Sequence, residues 1–464
     1  MLEFWMHEVA LMLFVWVIAH HYQYWSVIGF LKKTPPQLQP PSPQVGKKPE
    51  QAKKEFQGLT VKPVCNMCEQ AEEKPVMSRV PPPLIVPKKG RPKSVATGLQ
   101  FCPHQACDYY GWAGRGNISA NGHPNGGRNR QLYCCVCQSW YMETTGTLFY
   151  RKQYPAEQIT QAIACLAEGL GIRAVGRVFD VTPETILDWL AEAVVYLEIF
   201  NTYMTHNLEV KQVQWDELYG VIRAYQTGEL SEAEAMAKLD NRRKRIWVWT
   251  AMDPISKYWL AFEIGDRTAA NAWKIVHKVA TVLKKGLVPL LLTDGNRAYE
   301  HPILSHYGEW QEPAAGQRKP RWFPLADLLY AQVVKKRRGR RLVSVSKKVI
   351  FGSLTRINET LEPLGWTINT AFVERLNLTI RHLVPGLGRR VNTLLHSPQS
   401  LARQVCLAQT YYNFCLPAGS LQIAPTQDTV AQSRTPAMAI GITSHVWTLQ
   451  EVLRFKPPPF PQEN

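Results

Sequence analysis

KQVQWDELYGVI, residues 211–222, carries Val213, Trp215, Leu218 and Val221 in a strand-forming setting, yet places Asp216 and Glu217 side by side within it. β-Branched and aromatic residues favour a pleated, half-buried surface. Carboxylates seldom sit in such a place unless they are paired or bind a metal. Successive strand residues face opposite ways, so Asp216 is expected in a site and Glu217 on the other face, away from it.

Working outward, residues 210–385 alternate between strand and helix patterns. IWVWTAMD and KYWLAFEIG read as two strands joined by a turn at Pro254, and AANAWKIVHKVATVLKK as a helix. VPLLLTD (288–294) is apolar on both faces, as in the middle of a covered mixed sheet. It ends at Asp294, where Gly295 lets the chain turn. A basic, irregular region is expected next, followed by a helix over about 370–383 that Pro385 and Gly386 stop. That helix carries Glu374, with Asn377 and Arg381 at i+3 and i+7 on the same face. Asp216, Asp294 and Glu374 brought together without a cation would repel one another and raise their pKa values. Two Mg²⁺ ions, which prefer oxygen ligands, remove that difficulty and support in-line phosphoryl displacement.

Upstream, residues 155–197 are helical. PAEQITQAIACLAEGL is amphipathic and broken at Gly169 and Gly171, IRAVGRVF is a short second helix, and Thr182 with Pro183 starts a third, PETILDWLAEAVVYL. The tight break before the last helix has helix-turn-helix spacing. Arg173, Arg177, Thr182 and Thr185 are its candidate DNA contacts. Further upstream, FCPHQAC and LYCCVC supply Cys102, Cys107, Cys134 and Cys137, two thiolate turns suited to a structural Zn²⁺. Cys135 is less suited, and Cys65 and Cys68 form a third pair that His104 or His123 could complete. Cys165, Cys406 and Cys415 sit among apolar residues and read as core.

Composition bounds the partners. The chain has 464 residues, enough for several domains, and a net charge of +17. That excess favours a polyanion, nucleic acid or an anionic membrane face. The basic residues are clumped at 47–54, 88–93, 241–245 and 335–341. The last run, KKRRGRR, offers Arg337, Arg338, Arg340 and Arg341 to DNA, and KKGRPK (88–93) resembles an AT-hook. Ten cysteines, seven of them between 65 and 137, point to metal in a reducing compartment rather than to disulfides. The apolar run VALMLFVWVIA (9–19) is too short to span a bilayer and is expected to be a buried or partner-binding helix, not a membrane anchor. Residues 34–63 read as a Pro- and Lys-rich linker.

The cysteine unit, the helical trio, then WDE, TDGN and ERLNLTIRHL in that order resemble the DDE transposases of bacterial insertion sequences, particularly the insertion-sequence-one-like group. RTPAMAIGITSHVWTLQEVL (434–453) is similar to the ends of such proteins, and the resemblance covers roughly residues 99–455. It implies a multidomain chain. An apolar segment (1–33) and a linker with a CxxC (34–98) precede a zinc-ribbon-like unit (99–150) and a helix-turn-helix (151–205). An α/β RNase H-like catalytic domain with a mixed sheet (206–416) and a tail (417–464) follow. It also implies Asp216, Asp294 and Glu374 as a triad holding magnesium, with Asn377 and Arg381 orienting the helix or a phosphate. The activity implied is cleavage and strand transfer at element ends in double-stranded DNA. A homo-oligomer in the bacterial cytoplasm, associated with the nucleoid, would carry it out. The N-terminal segment, the linker and the basic insert at 223–245 depart from the pattern. A domesticated, non-catalytic DNA-binding regulator and an RNase H-like nuclease without strand transfer are the alternatives.

Overall fold

Strand pairing around residues 211–222 builds the centre of the molecule, seen in a computed structural model that describes residues 81–85, 97–223, 243–312, 320–339, 341–388, 395, 397–425 and 430–459. The apolar N-terminal segment, the linker, Cys65, Cys68, the 88–93 run, most of the 223–245 insert and Arg340 lie outside the described residues. All described residues belong to one unit, Ser78–Asn464.

In chain order, β1 (Ile118–Ala120), β2 (Gln131–Cys134) and β3 (Trp140–Met142) form a small antiparallel sheet. Strands this short bury little, and their core is a cluster of Tyr109, Ile118, Leu132 and Tyr141 around Cys102, Cys107 and Cys134. Three helices follow. α1 (Ala156–Ala167) buries Ile159, Ala162, Ile163 and Leu166, the i, i+3, i+4, i+7 stripe of a helix with one apolar face. It stops before Gly169, whose φ of +87° and close approach to the His382 carbonyl both require the missing side chain. α2 (Ile172–Phe179) ends at Asp180 in the left-handed region, and Thr182 then caps α3 (Pro183–Met204) by accepting from Thr185 N at 3.3 Å. α3 continues past Leu197 because Phe200 packs against Phe414 and Trp447, and Asn201 donates to Thr410 Oγ1 at 2.9 Å.

The large sheet begins with β4 (Gln212–Arg223), β5 (Arg243–Met252) and β6 (Trp259–Gly265), an antiparallel meander. α4 (Ala269–Val282) leads to β7 (Leu290–Asp294), which pairs parallel with β4. α5 (Glu300–His306) is followed by a separate two-stranded ribbon, β8 (Gly308–Gln311) with β9 (Arg321–Pro324). β10 (Leu329–Arg338) returns parallel to β7, and β11 (Arg341–Phe351) folds back on β10. The result is a six-stranded mixed sheet of order β11-β10-β7-β4-β5-β6 in a mixed α/β fold. The expected irregular region after Asp294 is therefore corrected to a short helix and two β-ribbons. α6 (Leu354–Leu361), α7 (Ala371–Leu383), α8 (Pro398–Phe414), α9 (Pro436–Ala439) and α10 (Leu449–Arg454) complete the chain.

Both sheet faces are covered. Leu291 of β7 enters the same core as Trp215, Trp249 and Ile275, while Leu290 and Leu292 pack against Ile357 and Leu361 of α6. α7 supplies Val373, Leu376 and Ile380 to a third cluster with Leu218 and Val248. The first of these cores runs without a break from Leu148 through α1 and α3 into the sheet. The boundary expected at 205/206 therefore divides the chain but not the packing. α10 closes over the helical trio: Tyr196 donates to the Val452 carbonyl at 3.1 Å, and Arg454 pairs with Glu157 at 2.9 Å. Among the described residues no helix is long and apolar enough to cross a membrane.

Candidate functional site

Two separate groups of side chains have metal-ligating chemistry. In the first, Cys102 and Cys107 flank a turn in which Cys107 N donates to the His104 carbonyl at 3.0 Å, and Cys134 and Cys137 flank the hairpin after β2. The Sγ atoms of Cys102 and Cys137 are 3.5 Å apart, those of Cys107 and Cys134 are 3.9 Å apart, and all four lie within 4.8 Å of one another. Four thiolates bonded tetrahedrally to zinc at about 2.3 Å are separated by about 3.8 Å, so the group fits that ion. Burial pushes the Cys102 and Cys107 thiols up, Cys107 to about 11, so a bound cation is what would hold them as thiolates near neutrality. Asn117 donates to Cys134 Sγ at 3.4 Å and supports the cluster from outside. Cys135 is exposed, and His104 and His123 are exposed and take no part in the group.

The second group lies where β4 outruns β7. Register pairs Trp215 with Thr293 and Asp294 with Val333, which sets Asp216 and Asp294 side by side at the end of the parallel strands. α7 crosses this end and presents Glu374 from its first turn. A cavity of about 610 Å³ receives Asp216, Asp294 and Glu374 together with Arg267, Lys335 and Arg337.

Each acid has its own partners. Asp216 accepts from Asn377 Nδ2 at 2.9 Å and from Glu217 N at 2.9 Å, and Thr250 Oγ1 donates to Asn377 Oδ1 at 3.1 Å. Asp294 accepts from Asn296 N at 2.9 Å and from Arg267 Nη2 at 3.4 Å. Glu374 accepts from Thr370 Oγ1 at 2.7 Å and pairs with Lys335. Burial, then the neighbouring Asp294 charge, pushes Asp216 up to about 7, and burial raises Glu217 and Asp294 as well. Oxygens this close and this reluctant to ionise fit a hard divalent cation.

Glu217, expected to lie away from the site, stands beside it. Its carboxylate lies within 4.8 Å of those of Asp216 and Asp294, so among the described residues these three form an acidic group close enough to share a cation. Alternation itself holds: Asp216 turns to Asn377 of α7, and Glu217 turns to Tyr299 on the face that carries Trp215. β7 ends at Asp294, so at this end of the sheet no further strand stands between the faces and the longer glutamate comes near both aspartates. There Glu217 accepts from Arg267 Nε at 3.1 Å and Asn296 Nδ2 at 3.1 Å, with the fully buried Tyr299 beside it.

Asn377 and Arg381, expected to orient the helix or a phosphate, make contacts within the fold. Asn377 is buried and spent on Asp216, and Arg381 donates to the Leu387 carbonyl at 2.6 Å while lying over the Tyr219 ring. Both tie α7 to β4: Asn377 through Asp216, and the half-buried Arg381 through the Tyr219 carbonyl at 3.4 Å. Arg173 and Arg177 are exposed on one face of α2. Thr182 is committed to capping α3, and its hydroxyl lies 3.0 Å from that of Thr185. Arg337, Arg338 and Arg341 are exposed at the tip of the β10–β11 ribbon, which projects beyond the acids. Arg267, Lys335, Thr250 and Asn296 were missed. Of these, Asn296 stood in TDGN and Lys335 at the head of KKRRGRR, a run read as facing DNA and not as a partner of an acid.

The metal-free acids should cost stability. Asp216→Asn keeps the shape and removes a buried charge, and is expected to stabilise metal-free protein by about 1–2 kcal/mol at pH 8. The folded pKa, about 7, lies above the ordinary 3.8, so the gain should be absent below about pH 4. It should grow up to about pH 7, where only the unfolded chain has lost its proton, and stay level above that. Denaturant melts of both proteins across that range check this; an equal gain at pH 3 would refute it.

No protein-family model and no curated protein matches the chain. Among solved structures, the Mos1 transposase paired-end complex with left transposon end matches at 12% identity, over 33% of this chain and 57% of that chain, with a TM-score of 0.14. The Mos1 strand transfer complex matches at 12% identity over 32% and 53%, with a TM-score of 0.13. The chain thus spans little more than half the length of either structure, and scores this low carry no argument about fold or activity.

Proposed function

We propose that the chain is a DDE-type DNA transposase of a bacterial insertion sequence, of the insertion-sequence-one-like group. In this reading the sheet is an RNase H-like catalytic domain, α2 and α3 are a helix-turn-helix, and the cysteine unit is a zinc ribbon. The observation that carries it is the convergence of Asp216, Asp294 and Glu374, from β4, β7 and α7, on one cavity beneath a basic ribbon. Asp216, Asp294 and Glu374 would hold two Mg²⁺ ions, which when bound activate an attacking oxygen and stabilise a leaving one. Asn377 fixes Asp216 from behind, and Thr250 fixes Asn377 in turn. Lys335 faces Glu374 and supplies positive charge where a phosphate would enter. Water would attack the phosphodiester at the element end, and the freed 3′-hydroxyl would then attack target DNA. A homo-oligomer acting on the bacterial nucleoid is the proposed working form.

The test is incubation of purified protein and Mg²⁺ with DNA carrying the sequences that flank its gene. Cleaved ends joined to a target plasmid support the reading. Cleavage without joining would indicate the nuclease alternative, and binding without cleavage the regulator.

The ribbon's share can be measured separately. Neutralising four phosphates changes the slope of log affinity against log salt by roughly 3.6. Replacing Arg337, Arg338, Arg340 and Arg341 with Ala should flatten the slope by up to that much. An unchanged slope would leave the ribbon without a part in binding.

A further inference from the structure

Arg267 joins the two acids that the alternation rule would have kept apart. It sits between β6 and α4, with its guanidinium 5.0 Å over the Trp247 ring. Nε and Nη2 both reach Glu217 Oε2, at 3.1 and 2.9 Å, and Nη2 also reaches Asp294 Oδ2 at 3.4 Å. The glutamate it grips has a side chain only 1% exposed, whereas Arg267 itself is 42% exposed and lines the cavity. Nη1 makes none of these carboxylate contacts. A buried carboxylate holding a half-exposed guanidinium fixes its plane, and a fixed guanidinium fork suits a phosphate oxygen. The contact to Asp294 is the longer one, so it is the one a metal at Asp294 would displace, while the Glu217 contact keeps the arginine in place.

We propose that Glu217 is a positioning residue that holds Arg267 against Trp247, so that Arg267 contacts the DNA phosphate at the acidic site and balances Asp294 until a divalent cation binds there. This rests on the metal-site reading above but assigns two residues that reading does not use.

The test uses the full chain, Mn²⁺ followed by the resonance of the free ion, and a fluorescein-labelled DNA duplex followed by anisotropy. Arg267→Gln removes a competing cation from Asp294 and should tighten Mn²⁺ binding roughly threefold. The same change should weaken duplex binding in Mn²⁺ by roughly threefold to tenfold, since a charge-assisted contact is lost. Arg267→Lys should return Mn²⁺ affinity to normal while duplex binding stays weak, because lysine keeps the charge without the fork. Glu217→Gln should weaken Mn²⁺ binding, chiefly by letting Arg267 settle on Asp294, and should have a clearly smaller effect in an Arg267→Gln background, where only its through-space charge is lost. A loss in that background as large as in the unmodified chain would make Glu217 a metal ligand and overturn the positioning role. Unchanged Mn²⁺ and duplex affinities in Arg267→Gln would overturn the inference while leaving the metal site intact. Failure of the unmodified chain to bind Mn²⁺ would remove both.

Discussion

Asp294→Asn and Glu374→Gln should each lower cleavage of the flanking DNA by about a hundredfold to a thousandfold, the loss typical of removing one preorganised charge partner from a transition state. Both changes keep size and hydrogen bonding, so folding and duplex binding should survive. Asp216→Asn belongs with them. Asn377→Ala touches no reacting atom and only releases Asp216, so its loss should be smaller, about tenfold to a hundredfold, as for other groups that orient a ligand from behind. The order of these effects matters more than any single value. If Asn377→Ala cost as much as Asp294→Asn, helix placement rather than ligand charge would govern activity. If none of the carboxylate variants lost cleavage, the cavity would not be the reaction site.

Removing a cysteine ligand is the second large change. Zinc bound by four thiolates leaves no open position, so its role in residues 99–150 would be structural. Metal binding supplies about 10 kcal/mol or more to small zinc-held units. Cys102→Ser or Cys134→Ser should therefore unfold this region, with loss of one zinc per chain by elemental analysis and rapid proteolysis there. Cys135→Ser alters an exposed thiol outside the group and should do neither. Retained zinc in Cys134→Ser would require a different ligand set.

Where burial enforces a pattern, the sequence was legible. VPLLLTD read as a central strand because both of its faces are covered, and the three helices read from their apolar stripes and from Thr182 and Pro183. The β10–β11 ribbon did not. Beyond Val333 it leaves the sheet, and Arg337, Arg338, Leu342, Val343 and Lys347 are exposed to solvent, so no buried face imposed a period of two. Asp216, Asp294 and Glu374 stood out as acids in apolar surroundings. Alternation gave the face of Glu217 but not its distance from the aspartates, because opposite faces come close where β7 ends. Arg267 lies in the three-residue connection DRT (266–268) between β6 and α4, too short to carry a period that could be read.

α3 is a rod without a joint. Its 22 residues span roughly 33 Å, with one end beside the turn that follows Arg177 and the other seated on α8. Because one core binds this rod to both the helical trio and the sheet, the proposed grip on DNA and the proposed blade cannot move independently. The protein would work as a fixed-gauge caliper, measuring out a set distance and a set rotation from the sequence it holds to the bond it cuts. Slack in such a tool has to come from the workpiece. An element end with half a helical turn inserted between grip and cut would present its phosphate on the far side of the duplex, where the acids of β4 and β7 cannot follow.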